Sequence, residues 1–280
     1  MFLCTSIKNG PASRSVWIRA LTVPMTAVQT CGEACRLCGG ATKPLFSRIV
    51  MDRYEARYTE CAGCGSLQTE SPSWLSEAYQ GPLASADTGA AQRTLYCQMA
   101  VYWLYRILGL PRTAILLDFG GGEGLLVRLL RDLRMVSFLE DRYGRGAFSG
   151  PFRYDGATPP SVITSFEVWE HLLECQSTID TLFARRPNAM FISTEIYTGQ
   201  SQDWWYLGAE SGQHIFFYSR KAMEMIAARH GYYVHIFKNA YVLFTGSPMA
   251  SWRRLAMRIV LSHKLRRPLM AFMSFVAEIP

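Results

Sequence analysis

Four cysteines stand in two C-x-x-C pairs, Cys35/Cys38 and Cys61/Cys64, with 22 residues between them. Each knuckle sets two thiolates on one tetrahedral face, and two knuckles complete the ligand set of a zinc ribbon. Gly39 and Gly65 follow the pairs, where the backbone must turn tightly behind the metal. Four thiolates leave no open coordination position, so the zinc expected here is structural. A different chemistry lies in Ala114–Arg131, A-I-L-L-D-F-G-G-G-E-G-L-L-V-R-L-L-R. An apolar run stops at Asp118, glycines fall at 120, 121, 122 and 124, and Leu125 to Leu130 supply one apolar helix face. Such a loop lets a ligand approach the backbone, and the helix start beyond it offers free N–H groups to a carboxylate or phosphate. The dinucleotide fingerprint G-x-G-x-x-G fails, because Leu125 occupies its last position, which disfavours a nicotinamide dinucleotide. Gly120, Gly122 and Gly124 form D-x-G-x-G-x-G instead. A second apolar run, Met135–Leu139, ends at Glu140-Asp141, 21 positions after Gly120 for Asp141. An acid at that spacing takes the ribose hydroxyls of a nucleoside cofactor, with Glu140 as the alternative one residue earlier.

Positioning these groups requires a frame. Strand-like runs at 161–166, 189–193, 232–238 and 241–245 alternate with helical patterns at 91–108, around Ile179–Phe183 and at 219–230. The order predicts an α/β fold: a Rossmann-like, doubly wound, mostly parallel sheet of seven strands with one late antiparallel hairpin. The domain boundaries expected are a disordered tail over 1–30, a zinc-ribbon module over 31–70, a linker and amphipathic helix over 71–110, the Rossmann-like domain over 111–250 and a basic amphipathic tail over 251–280. The first 24 residues have no apolar core of a signal peptide, and Met25 is a plausible start. Of the remaining cysteines, Cys31 is a spare thiol.

Bulk numbers restrict the partners. The chain has 280 residues, 49 % of them hydrophobic, and a net charge of +7; its mean hydropathy is +0.04. No apolar run approaches the roughly 18 residues of a spanning helix. The basic residues are scattered until the C-terminus, so no nucleic-acid footprint is visible. Paired thiols at metal spacing favour a reducing compartment, and a cytoplasmic location is expected. Arginines among leucines and isoleucines at 251–280 fit a helix that packs on its own domain; contact with an anionic membrane surface is the lesser reading.

The segment V-I-T-S-F-E-V-W-E-H-L (162–172) and D-x-G-x-G-x-G together resemble class I S-adenosylmethionine-dependent methyltransferases. With the cysteine pairs and D-W-W-Y-L-x-x-x-x-G-Q-H-I-F-F-Y-S (203–219), the chain is similar to zinc-ribbon-bearing methyltransferases of sugar and glycan biosynthesis, from about Cys35 to Gly246. The resemblance implies S-adenosylmethionine held by Asp118, Gly120, Gly122, Gly124 and Asp141, and a sugar, nucleotide-sugar or other small polar metabolite as acceptor. It also implies a catalytic histidine at His214, although Gln213 replaces the glutamate those enzymes carry beside it.

Methyl transfer requires alignment and, for a poor nucleophile, a base. His214 is the first choice. His171, just past the strand at 161–166, is the second. Glu167 closes that strand, where ligands collect in open α/β sheets, and is assigned to shaping the cofactor pocket. Trp204, Trp205 and Tyr206 either stack on a ligand or wall the pocket, and Glu195 ends the next strand. His230 and His235 are expected to be structural. The competing reading is a zinc-ribbon scaffold protein with a non-catalytic Rossmann-like domain, which cofactor binding would exclude.

Overall fold

The computed structural model describes residues 33–79 and 89–277. The expected tail at 1–30, Met25, Cys31 and part of the linker lie outside the described residues. The N-terminal strands β1 (Thr42–Val50), β2 (Tyr54–Cys61) and β3 (Leu67–Thr69) form an antiparallel meander. After the short helix α1 (Leu75–Ala78), helix α2 (Ala90–Leu108) ends where Gly109 takes the left-handed conformation.

The main sheet is built from β4 (Leu116–Phe119), β5 (Ser137–Glu140), β6 (Val162–Phe166), β7 (Ala189–Ser193), β9 (Tyr233–Phe237) and β10 (Tyr241–Thr245). Its order is β5-β4-β6-β7-β10-β9. The first four strands run parallel, while β10 lies antiparallel to both β7 and β9. Strands buried on both faces have no polar side, and their alternate residues feed two separate cores. Leu116, Val162, Phe191 and Leu243 pack on one face with α2, α3 (Leu125–Asp132) and α6 (Ser251–Val260). Leu117, Ile163, Met190 and Val242 pack on the other with α4 (Cys175–Ala184) and α5 (Arg220–His230).

The sheet has six strands, not the seven expected. A further edge strand beside β5 is reduced to one bridge, Leu139 to Arg153. The 144–160 stretch carries glycines and a terminal Pro-Pro and lacks an apolar run, so it can pair only locally.

The expected ribbon over 31–70 is not closed on itself. Its sheet is completed by β8 (Phe216–Phe217), whose residues pair with β3 partners 148 and 150 positions earlier. Cys35, Leu37, Cys61 and Cys64 share a core with Trp169, Tyr218 and the sheet. The basic tail forms α6 and α7 (Arg266–Ala277), and Met257, Val260 and Met273 pack against α2 residues. Among the described residues, no helix is long and apolar enough to cross a membrane.

Candidate functional site

The glycine loop crosses the carboxyl end of β4, where an open α/β sheet binds ligands. Gly120 has φ +74°, and a Cβ there would lie 2.6 Å from Val168. At Gly121 a Cβ would meet the Asp118 carboxylate at 2.1 Å, so the loop lies directly on that acid. Asp118 is 2 % exposed and accepts a 2.8 Å hydrogen bond from the Thr164 hydroxyl. Burial pushes its carboxyl up to about 7, with the Asp141 charge adding to the rise and the Thr164 bond opposing it. Gly124 takes φ +79° as it caps α3.

Asp141 lies beside this loop. Its Oδ2 accepts the Gly122 N–H at 2.8 Å, while Oδ1 accepts the N–H groups of Tyr143 and Gly144. The carboxylate therefore latches the glycine loop to the end of β5. Glu140, the alternative, is bound by both guanidinium nitrogens of Arg185 at 2.6 and 2.9 Å. That bidentate pair ties Glu140 to Arg185, whereas Asp141 bonds the Gly122 N–H of the loop itself.

The second half of the site follows β6. Glu167 has φ +53°, a left-handed turn that ends the strand, and its N–H and carboxylate both meet Ser193. The turn throws Trp169–His171 into a single 3-10 turn behind Val168, which itself contacts Gly120. Glu170 is fully buried. Tyr206 places one hydroxyl between the two acids, 2.7 Å from Glu170 Oε1 and 3.3 Å from Glu167 Oε2. His171 and His214 meet edge to face with ring centres 4.8 Å apart. The Tyr79 hydroxyl lies 3.2 Å from His171 Nδ1, and Tyr79 stacks on Tyr143 next to Asp141. The two halves are thus joined through Tyr143, Tyr79 and His171.

His214 Nδ1 lies 2.6 Å from the Tyr206 carbonyl oxygen. A carbonyl only accepts, so Nδ1 carries the proton and Nε2 keeps its lone pair. Burial lowers the pKa of both rings, that of His171 to about 3, where the adjacent His214 adds to the effect. Burial first, and the Glu167 charge second, raise Glu170 well above the ordinary carboxylate range.

The four ribbon cysteines converge. Cys35 and Cys64 sulfurs lie 3.6 Å apart and those of Cys38 and Cys61 3.4 Å, and all four fall within 4.8 Å of one another. Zinc–sulfur bonds of about 2.3 Å in a tetrahedron require sulfur separations of about 3.8 Å, so the donor set fits a zinc ion.

Several residues that matter here escape local sequence reasoning. Glu170 carries no local signal beyond standing three residues after Glu167. Tyr79 and Arg36 carry no motif at all. Tyr206 is buried, whereas Trp205 is 74 % exposed beside it. Gln213 donates to the Ala78 carbonyl and so braces α1 rather than a base. His230 stacks on Phe183 and pairs with Asp180, and His235 lies within β9, both outside the site. Glu195 sits just beyond β7, its carboxyl raised by burial and by Glu167.

No curated protein sequence matches the chain. Among solved structures it is similar to magnesium protoporphyrin IX methyltransferase from Synechocystis PCC 6803 with bound SAH, at 14 % identity and TM-score 0.45, over 61 % of this chain and 92 % of that one. The methyltransferase domain of bacterial CtHen1 matches at 19 % identity and TM-score 0.35, over 54 % of this chain and 97 % of that one. Mitomycin 7-O-methyltransferase MmcR matches at 14 % identity and TM-score 0.44, over 61 % and 60 %. Residues 92–235, more than half of the chain and all of the glycine loop, the Glu167–His171 turn and His214, match the family described as "Methyltransferase domain", and the chain belongs to that family.

Proposed function

We propose that the chain transfers a methyl group from S-adenosylmethionine to a sugar, nucleotide-sugar or other small polar metabolite in the cytoplasm, with one structural zinc in its ribbon. The observation that carries this reading is the join between the glycine loop latched by Asp141 and the Glu170–His171–His214 cluster, through Val168 on one side and Tyr143–Tyr79 on the other. The loop fits the cofactor because Gly120 and Gly121 press on Val168 and Asp118 with no room for a side chain, while Gly122, at φ +57°, leaves open space beside the backbone. Gly120, Gly122 and Gly124 supply backbone there, Asp118 lies beneath, and Asp141 and Glu167 border the pocket. The bound sulfonium supplies an electrophilic methyl carbon. The protein's own task is to align the acceptor, exclude water and prepare the nucleophile. His214 and His171 are the groups that prepare it, since His214 presents an unprotonated Nε2. Cys35, Cys38, Cys61 and Cys64 hold the zinc, and thiols kept for metal suit a reducing compartment.

Calorimetry with S-adenosylhomocysteine tests the cofactor, and mass analysis of a panel of nucleotide-sugars incubated with protein and S-adenosylmethionine tests the acceptor. One binding event per chain and a gain of one methyl group are expected. Absence of heat at millimolar ligand would reject the enzyme in favour of the scaffold reading.

A further inference from the structure

The Glu170–His171–His214 cluster has a composition that proton transfer alone does not explain. One carboxylate oxygen and one nitrogen from each histidine lie within 4.8 Å of one another. Glu170 is fully buried, yet its Oε2 has no hydrogen-bond partner. Its Oε1 shares the single Tyr206 hydroxyl with Glu167, a donor with one proton facing two acids. Among the described ion pairs, Glu170 has only His171 Nε2, 4.0 Å away. Among the described ion pairs neither acid meets a lysine or arginine, and Glu170 Oε2 lacks the partner that a buried polar atom ordinarily finds.

Both imidazoles are already held by their far nitrogens. His214 Nδ1 donates to the Tyr206 carbonyl, and His171 Nδ1 meets the Tyr79 hydroxyl. That is the arrangement by which outer groups fix a ligating histidine's tautomer and ring plane, leaving Nε2 for a metal. Resting on the methyltransferase reading above, we propose that Glu170, His171 and His214 bind a divalent first-row transition ion, such as Mn²⁺ or Zn²⁺, at a second metal site separate from the four cysteines. Two imidazoles and a carboxylate suit such ions and leave coordination positions open. Those open positions suit an acceptor oxygen, so the substrate class favoured is a hydroxyl-bearing molecule bound through that oxygen; the histidines then prepare it through the ion they hold and not by taking its proton at Nε2.

The test counts metal. Zinc-replete full-length protein is equilibrated with Mn²⁺, freed of unbound ion, and its total zinc and manganese measured alongside affinity for S-adenosylhomocysteine. Two ions per chain are expected in the native protein and one in Glu170→Gln and in His214→Gln, with Cys61→Ser losing the other. A native count of one, or a count of two in both site variants, overturns the proposal. S-adenosylhomocysteine affinity reports folding of each variant and separates the two ideas. Cofactor binding with a single ion sinks the metal site alone, whereas two ions without cofactor binding sink the methyltransferase reading and leave the metal site standing.

Discussion

Replacing Asp118 by asparagine isolates the cost of a carboxyl buried under the cofactor loop. Asp118 is 2 % exposed, and its pKa moves from 3.8 to about 7. A carboxyl whose folded pKa lies above its unfolded one favours the fold when protonated. Its stabilising share is therefore complete below about pH 4, declines as pH rises towards 7, and is gone above that. At about 1.4 kcal/mol per pH unit, the span from 3.8 to about 7 corresponds to about 4 kcal/mol, of which about 3 kcal/mol falls between about pH 5 and pH 8.5. Asparagine retains an oxygen for the Thr164 hydroxyl but cannot ionise. Asp118→Asn should accordingly gain about 3 kcal/mol relative to the native chain on moving from about pH 5 to pH 8.5. Urea unfolding of ligand-free protein at the two pH values, followed by tryptophan fluorescence, measures this directly. Parallel pH dependence of the two proteins would refute the burial argument.

Three further outcomes are expected. Cys61→Ser should release the zinc, measurable by elemental analysis, and lower the thermal midpoint, since the binding energy of a structural zinc is largely folding energy. Asp141→Ala should weaken S-adenosylhomocysteine binding by about 1–3 kcal/mol in calorimetry, because it removes the latch on Gly122 and, on the proposed reading, the acid that meets the ribose. His214→Ala should lower turnover by about 10²–10⁴-fold while leaving cofactor affinity close to native.

Much of this site is legible in the chain because its chemistry is local. The glycine loop, Asp141 and the E-V-W-E-H turn each lie within a few residues of a strand end, and β7 and β10 occupy the ranges that periodicity assigns them. The illegible part depends on partners distant in sequence. The two-residue strand β8 is too short to show a period, and it exists because β3 offers it a ladder. The edge beside β5 is the converse case: the seventh strand expected from the fold class has no run of its own in the sequence, and the glycines around 144–156 leave only one bridge there. Full burial of Glu170 is equally invisible, since an acid next to a histidine reads as solvent-facing until Tyr206 is seen to cover it.

Those distant pairings give the ribbon a role beyond its own folding. Ile215, the residue after His214, donates its N–H to the Glu170 carbonyl and accepts the Thr69 N–H from β3. Arg36, between the first two cysteines, donates to the carbonyls of both Thr69 and Ile215. Ser219 caps α5 through Ala222 and also donates to the Cys64 carbonyl, so the other end of the same segment is pinned to the second knuckle. The stretch from His214 to Ser219 is therefore clamped at each end by the ribbon. A loop held by two backbone contacts and one guanidinium has few ways to rearrange without breaking several hydrogen bonds together. A zinc held by the four thiolates, as proposed, would order the same segment that carries His214, since both rest on the hydrogen bonds of Arg36, Thr69 and Ser219. The pairing of β3 with β8 thus makes the cysteine-bearing sheet a support for the segment that carries His214.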